Sequence, residues 1–200
     1  SSPQAQVKGD LLEQATQLLA SSKRPVILAG HGILKSGAMD EVPRFAELCH
    51  IPVGMTLLGL GSLPAHHPLN LRMMGMHGEH WVNEAIQEAD LLLAFGMRFD
   101  DRVTGKLASY APHAKKIHID IDPSELHKNV RADVAIAGDL KTVLQAWLPA
   151  VHLGGELYLF DTSLGLPIPG PEGKGIATLA QVIADPQLLR QLDVEGATYP

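Results

Sequence analysis

Short, unbroken apolar runs recur along this chain, and each opens into glycine or aspartate. Val26-Ile27-Leu28-Ala29 leads into Gly30-His31-Gly32, Leu91-Leu92-Leu93-Ala94-Phe95 into Gly96, and Val134-Ala135-Ile136-Ala137 into Gly138-Asp139. A strand that is apolar on both faces needs cover on both faces, which is the condition of a parallel sheet between two helical layers. Segments of helical period separate the runs. The pattern predicts a doubly wound, Rossmann-like parallel α/β sheet of about six strands flanked by helices. An aromatic content of 4%, with many Ala, Leu, Ile and Val residues, suits this packing better than a β-sandwich.

In chain order, residues 1–9 read as a linker. Leu11, Leu12, Ala15, Leu18 and Leu19 fall at helical spacing, predicting an amphipathic helix from about Gly9 to Ala20. The strand at 26–29 is followed by a helix over about 38–49. Residues 51–55 are strand-like, 64–68 read as loop, 70–78 as a loop rich in glycine and methionine, and 80–88 as helix. Strands at 91–95, 116–122 and 134–137 and a helix at 140–148 complete a domain placed at residues 10–150. Five strands are legible, and a sixth is expected to be irregular. Residues 151–200 change character: a strand at 156–161, a stretch dense in proline and glycine at 166–173, and helical patterns at 177–183 and 187–192. They read as a C-terminal appendage, a fusion or a diverged end.

Composition narrows the function. A formal charge of −6, with no basic stripe, argues against nucleic acid as a partner. Cys49 is the only cysteine, so no intramolecular disulfide can form, which fits a reducing compartment. The polar residues 1–6 lack a signal-peptide core, and no apolar run approaches the roughly 20 residues that span a bilayer. A soluble, cytoplasmic protein without membrane contact is expected.

The candidate chemistry sits at strand ends. Carboxyl ends of parallel strands are where open α/β sheets bind ligands. Gly30-His31-Gly32 suits a phosphate or nucleotide contact, or simply a tight strand-to-helix turn; Lys35 stands where a third fingerprint glycine would be. Met73, Met74 and Gly75-Met76-His77-Gly78 suit packing on a flat ring or loose core packing. Gly96-Met97-Arg98-Phe99-Asp100-Asp101-Arg102-Val103-Thr104-Gly105 places four charged side chains directly after a buried strand. That is either a solvated turn or a ligand contact, since arginine offers a planar fork to phosphate, carboxylate or a ring face. Asp120 and Asp139 suit ribose hydroxyls or helix caps. His66, His67, His77 and His80 do not make a metal site by spacing. No nucleophile–base pair and no glycine-rich Lys-Ser/Thr phosphate loop is readable. Spacing alone leads to a nucleotide- or cofactor-binding α/β domain.

The loop 96–105 resembles the signature of the central domain of acetohydroxyacid synthase (acetolactate synthase) catalytic subunits. Leu28–Gly32, Thr56–Gly61, Gly75–Gly78, Ile117–Pro123 and Gly138–Leu140 follow in that family's order and spacing, so the resemblance covers about residues 5–150. It implies the middle domain of a thiamine-diphosphate enzyme that condenses pyruvate with a second 2-oxo acid in branched-chain amino acid biosynthesis. It also implies bound FAD, without a net redox role. By that resemblance Gly30, His31, Gly32, Thr56, Leu57, Gly75, Met76, His77, Gly78, Gly96, Arg98, Asp100, Arg102, Val103, Asp120, Ile121, Gly138 and Asp139 contact the cofactor, while Met76, Asp101 and Arg102 face the substrate entrance. Thiamine diphosphate and magnesium belong to flanking domains that this sequence does not contain. No residue here is therefore expected to be catalytic or to bind metal, and the chain alone is not expected to perform the carboligation. Expected partners are the small-molecule cofactor, the other domains of a parent enzyme, and a second copy of the chain. The rival readings are a structural or partner-binding module without a cofactor, and a domain that takes NAD or an ADP-containing ligand.

Overall fold

A computed structural model describes residues 9–148, 150–153 and 156–159 of the chain. It divides into two compact units, Ser1–Leu144 and Gln145–Pro200. The first is built on six strands: β1 (Pro25–Ala29), β2 (Val53–Met55), β3 (Asn70–Met73), β4 (Leu91–Phe95), β5 (Lys115–Asp120) and β6 (Val134–Ala137). They form one sheet in the order β3-β2-β1-β4-β5-β6, and every pairing is parallel. The expected doubly wound α/β sheet is the fold observed.

Helices α1 (Gly9–Ser21), α2 (His31–Ser36), α3 (Glu41–Cys49), α4 (His80–Glu88), α5 (Asp101–Thr104) and α6 (Leu140–Trp147) supply the cover. β4 shows why both layers are needed: all five of its residues are buried. Leu92 and Ala94 join a core with Val26, Leu28, Val82 and Ile86, the last two from α4. Phe95 alternates to the opposite face, where its ring meets Phe45 of α3 edge-on at 5.8 Å. The amino ends of the strands are tied by carboxylates. Asp90 accepts from the backbone N–H groups of Lys23 and Arg24 at 2.7 and 2.9 Å, and Asp133 from that of Lys116 at 2.9 Å.

Three expectations need correction. Residues 70–73, read as loop, are the edge strand β3, whose pairing with β2 carries an irregularity at Val53/Gly54. Arg72 has a φ of 81°, and this break in the extended backbone hides the strand from a period-two reading. The helix expected over 38–49 is α3, which starts only at Glu41, and it is preceded by a short unexpected helix, α2, that Gly37 terminates with a left-handed φ of 69°. The charged loop after β4 contains the one-turn helix α5, started by the Asp100 side chain accepting from Val103 N–H.

In the second unit, β7 (Ala150–Leu153) and β8 (Glu156–Leu159) pair antiparallel. β8 lies within the strand expected at 156–161. The expected helices at 177–183 and 187–192 lie outside the described residues.

Candidate functional site

Parallel strands all deliver their carboxyl ends to one edge, and that edge collects every expected contact. β1 delivers Gly30, His31 and Gly32; β2 delivers Thr56 and Leu57; β3 delivers Gly75 to Gly78. β4 delivers Gly96 to Val103, β5 Asp120 and Ile121, and β6 Gly138 and Asp139. The order reverses between β1 and β4, which is the topological switch point where such sheets open a crevice.

At that point the backbone is interlocked. Gly30 N–H donates to Phe95 O at 3.0 Å and Gly32 N–H to Gly96 O at 2.8 Å. A Cβ on Gly32 would lie 2.6 Å from Gly96 Cα, and one on Gly96 would lie 2.6 Å from Gly32 Cα. The glycines after β1 and β4 are thus required by the contact between the two turns. The close approach leaves no room for a side chain at Gly30, Gly32 or Gly96.

Further main-chain bonds cross the edge. Gly96 N–H reaches Ile119 O at 2.9 Å, Gly138 N–H reaches Asp120 O at 3.0 Å, and Met76 N–H reaches Arg102 O at 2.9 Å. The loops after β3 and β4 therefore touch through α5, although two strands separate them in the sheet.

The exposed chemistry is of two kinds. Leu57, Met76 and Ile121 are apolar yet 68, 69 and 71% exposed. Arg98 and Arg102 are exposed, and neither has an ion-pair partner among the described residues. His31, His77 and Asp101 are exposed beside them. Several expected contacts have structural work as well. Asp100 Oδ1 starts α5, Asp139 Oδ1 accepts from Thr142 N–H at 3.0 Å at the start of α6, and Asp120 Oδ1 accepts from Asp122 N–H at 2.9 Å.

Three side chains that hold these loops were not anticipated. Asn83 of α4 makes a double bond to the Gly75 turn, accepting from Gly75 N–H and donating to Gly75 O, both at 2.9 Å. His118 of β5 has its Nε2 2.8 Å from Met97 O. Asn129 donates to Phe99 O at 2.8 Å. A signal existed for His118. It lies in an alternating strand of a covered sheet, where each buried polar side chain needs a partner.

Of the histidines weighed for metal spacing, His67 Nε2 lies 2.9 Å from Glu47 and His80 Nδ1 3.3 Å from Glu84. A separate open groove of about 430 Å³ runs between α3 and the 61–67 loop, with Met39, Arg44, Glu47, Pro64 and His67 among its lining, and it contains none of the expected contacts. Among the described residues no helix is long and apolar enough to cross a membrane.

Residues 12–147 match the family described as thiamine pyrophosphate enzyme, central domain. Among similar proteins, the probable acetolactate synthase large subunit of Methanocaldococcus jannaschii is 54% identical over 140 residues, which is 70% of this chain and 24% of that protein. Acetolactate synthase 2, chloroplastic, of Zea mays is 53% identical over 136 residues, 68% of this chain and 21% of that protein. Acetolactate synthase, chloroplastic, of Arabidopsis thaliana is 53% identical over 134 residues, 67% and 20% respectively. The chain thus spans about a quarter or less of the relatives it matches. With the sheet order, the switch point and the match over residues 12–147 in agreement, the chain belongs to the thiamine pyrophosphate enzyme central-domain family and is of the acetolactate synthase kind.

Proposed function

We propose that this domain binds FAD along the carboxyl edge of its sheet, as the central part of an acetolactate synthase-like enzyme. The observation that carries this reading is the pairing of unlike surfaces on one edge. Three apolar side chains about two-thirds exposed stand among two arginines without ion-pair partners, over a floor of interlocked glycine backbone. A ligand that satisfies all of them has a flat apolar ring, an anionic centre and hydroxyls. A flavin dinucleotide has these parts.

In this reading Gly30, Gly32 and Gly96 give the diphosphate close access to the backbone. Arg98 and Arg102 supply its counter-charge, and Leu57 and Met76 cover the ring system. Asp120, Asp139 and Ile121 take the nucleotide end. The group's chemistry is that of a flavin; this chain's residues bind and orient it and exclude water. Thiamine diphosphate, magnesium and the condensation of 2-oxo acids are proposed for a parent enzyme, where Met76, Asp101 and Arg102 line the way to the reacting centre. Residues 10–150 are proposed as the cofactor domain and 151–200 as a separate appendage.

A second reading has an observation of its own. The same apolar exposure is what a surface buried against other domains would leave. Dialysis of the chain after mixing with FAD separates the two. Retained flavin absorbance, lost in Arg98→Ala and Arg102→Ala, is the expected result. No flavin binding at tens of micromolar overturns the cofactor reading in favour of a partner-binding surface. A thermal-shift panel of FAD, NAD, ADP and coenzyme A tests the ligand class, and a larger shift with NAD than with FAD would also overturn it.

A further inference from the structure

His118 is fully buried on a strand whose inward neighbours are apolar. Its partners across the sheet are Ala94 and Ala135, and its ring meets Phe99 edge-on at 5.1 Å. A leucine or methionine would fill such a place without desolvating an imidazole. Its Nδ1 has no hydrogen-bond partner among the described residues, so the ring is held by the contact of Nε2 with Met97 O. With Nε2 as the donor, Nδ1 is left as a bare acceptor facing the core.

That bond lies where the sheet stops supporting the chain. Gly96 N–H to Ile119 O is the last main-chain bond between the β4 strand end and β5. Beyond it, Met97 O is held by His118 and Phe99 O by Asn129 Nδ2, while Asp100 O is taken up by the first turn of α5. The side chains of Met97 and Phe99 are buried at 3 and 4% exposure, and only Arg98 between them points out. Two carbonyl anchors thus bracket one exposed guanidinium at the switch point.

We propose that His118 and Asn129 are positioning residues, which hold the backbone of Met97 to Phe99 so that Arg98 is presented to an anionic ligand in the crevice. The proposal rests on the cofactor reading for the identity of that ligand; the clamp itself does not depend on it. His118 is fully buried and Asn129 acts through the Phe99 carbonyl. They reduce the disorder that Arg98 would otherwise lose on binding.

The test uses the full chain with His118→Met, which keeps the bulk and removes the donor, and His118→Gln, whose side-chain amide nitrogen stands at the same distance along the chain as Nε2. Amide exchange at Gly96, Val103 and Thr104, whose bonded N–H groups flank the clamped segment, needs no ligand. His118→Met should speed it about tenfold, the factor carried by one net hydrogen bond, and His118→Gln should restore it. FAD titration by fluorescence quenching should weaken by about the same factor in His118→Met, be rescued in His118→Gln, and weaken in Asn129→Ala. In an Arg98→Ala background the His118→Met effect on FAD affinity should largely vanish, since a positioning residue acts through the residue it positions. Exchange and affinity unchanged in His118→Met, or His118→Gln as impaired as His118→Met, or full additivity with Arg98→Ala, would each overturn the proposal. If the wild-type chain binds no FAD, the cofactor reading fails, and the exchange comparison alone decides the clamp.

Discussion

At Gly96 the backbone has a φ of 56° and approaches Gly32 so closely that a Cβ on either would meet the other's Cα at 2.6 Å. Gly96→Ala combines a left-handed alanine with forced separation of the β1 and β4 turns. It should destabilise the domain by about 2–4 kcal/mol, read from urea denaturation. His118 makes a second prediction at this scale. Burial holds its imidazole below the ordinary histidine value of 6.5, opposed by the Met97 carbonyl, Asp120 and Glu125 and assisted by His127. As pH falls, the unfolded chain takes up this proton before the folded one. Stability is therefore complete above about pH 6.5 and declines as pH drops toward the folded-state value. In His118→Gln the urea midpoint should fall less steeply with acid below that pH; an unchanged slope would mean other groups carry it.

The elements at the crevice are small and held from outside themselves. α5 has four residues, far too few to persist alone. It is kept by the Asp100 cap, by Thr104 Oγ1 donating to Asp100 O at 2.9 Å, and by the bond from Met76 N–H to Arg102 O. The turn after β3 is likewise held by Asn83 of α4 through two bonds at 2.9 Å. Asn83→Ala should cost about 1–3 kcal/mol. It should also raise amide exchange at Gly75 to Gly78 more than in the β1 or β4 strands. Uniform change across the sheet would mean the asparagine supports the core rather than the turn. Long regular elements such as α4 and β4 were legible because their period or apolar run is strong. β3 was not, since Leu71, left over where its register against β2 shifts, and the φ of Arg72 erase the alternation that marks a strand. α5 was not, because charge density masks a helix of one turn.

For the whole molecule the sheet order matters most. With β1 and β4 adjacent at the centre, loops separated by more than sixty residues of chain become neighbours. A ligand bridging them ties the first unit together, so binding should appear as global stabilisation. At FAD concentrations 100-fold above its dissociation constant the gain should be about 2.7 kcal/mol, with a matching rise in melting temperature. Arg98→Ala should lose most of that rise while leaving the ligand-free melting temperature near that of the wild type, because its side chain is exposed. An equal rise in both proteins would place the bound ligand elsewhere.

By itself the sequence determined the class of fold and five of the six strand ends, that of β3 having read as loop. Apolar runs closed by glycine or aspartate admit few packings other than a covered parallel sheet. It also determined which loops carry charge. Only the tertiary structure decided which ends adjoin. It assigned Gly32 and Gly96 to each other, set both Asp100 and Asp139 at helix starts, and brought Asn83, His118 and Asn129 to loops far from them in the chain. The reason is physical. Local pattern reports how each segment meets water and core, whereas contacts between segments follow from strand order, which no local pattern encodes.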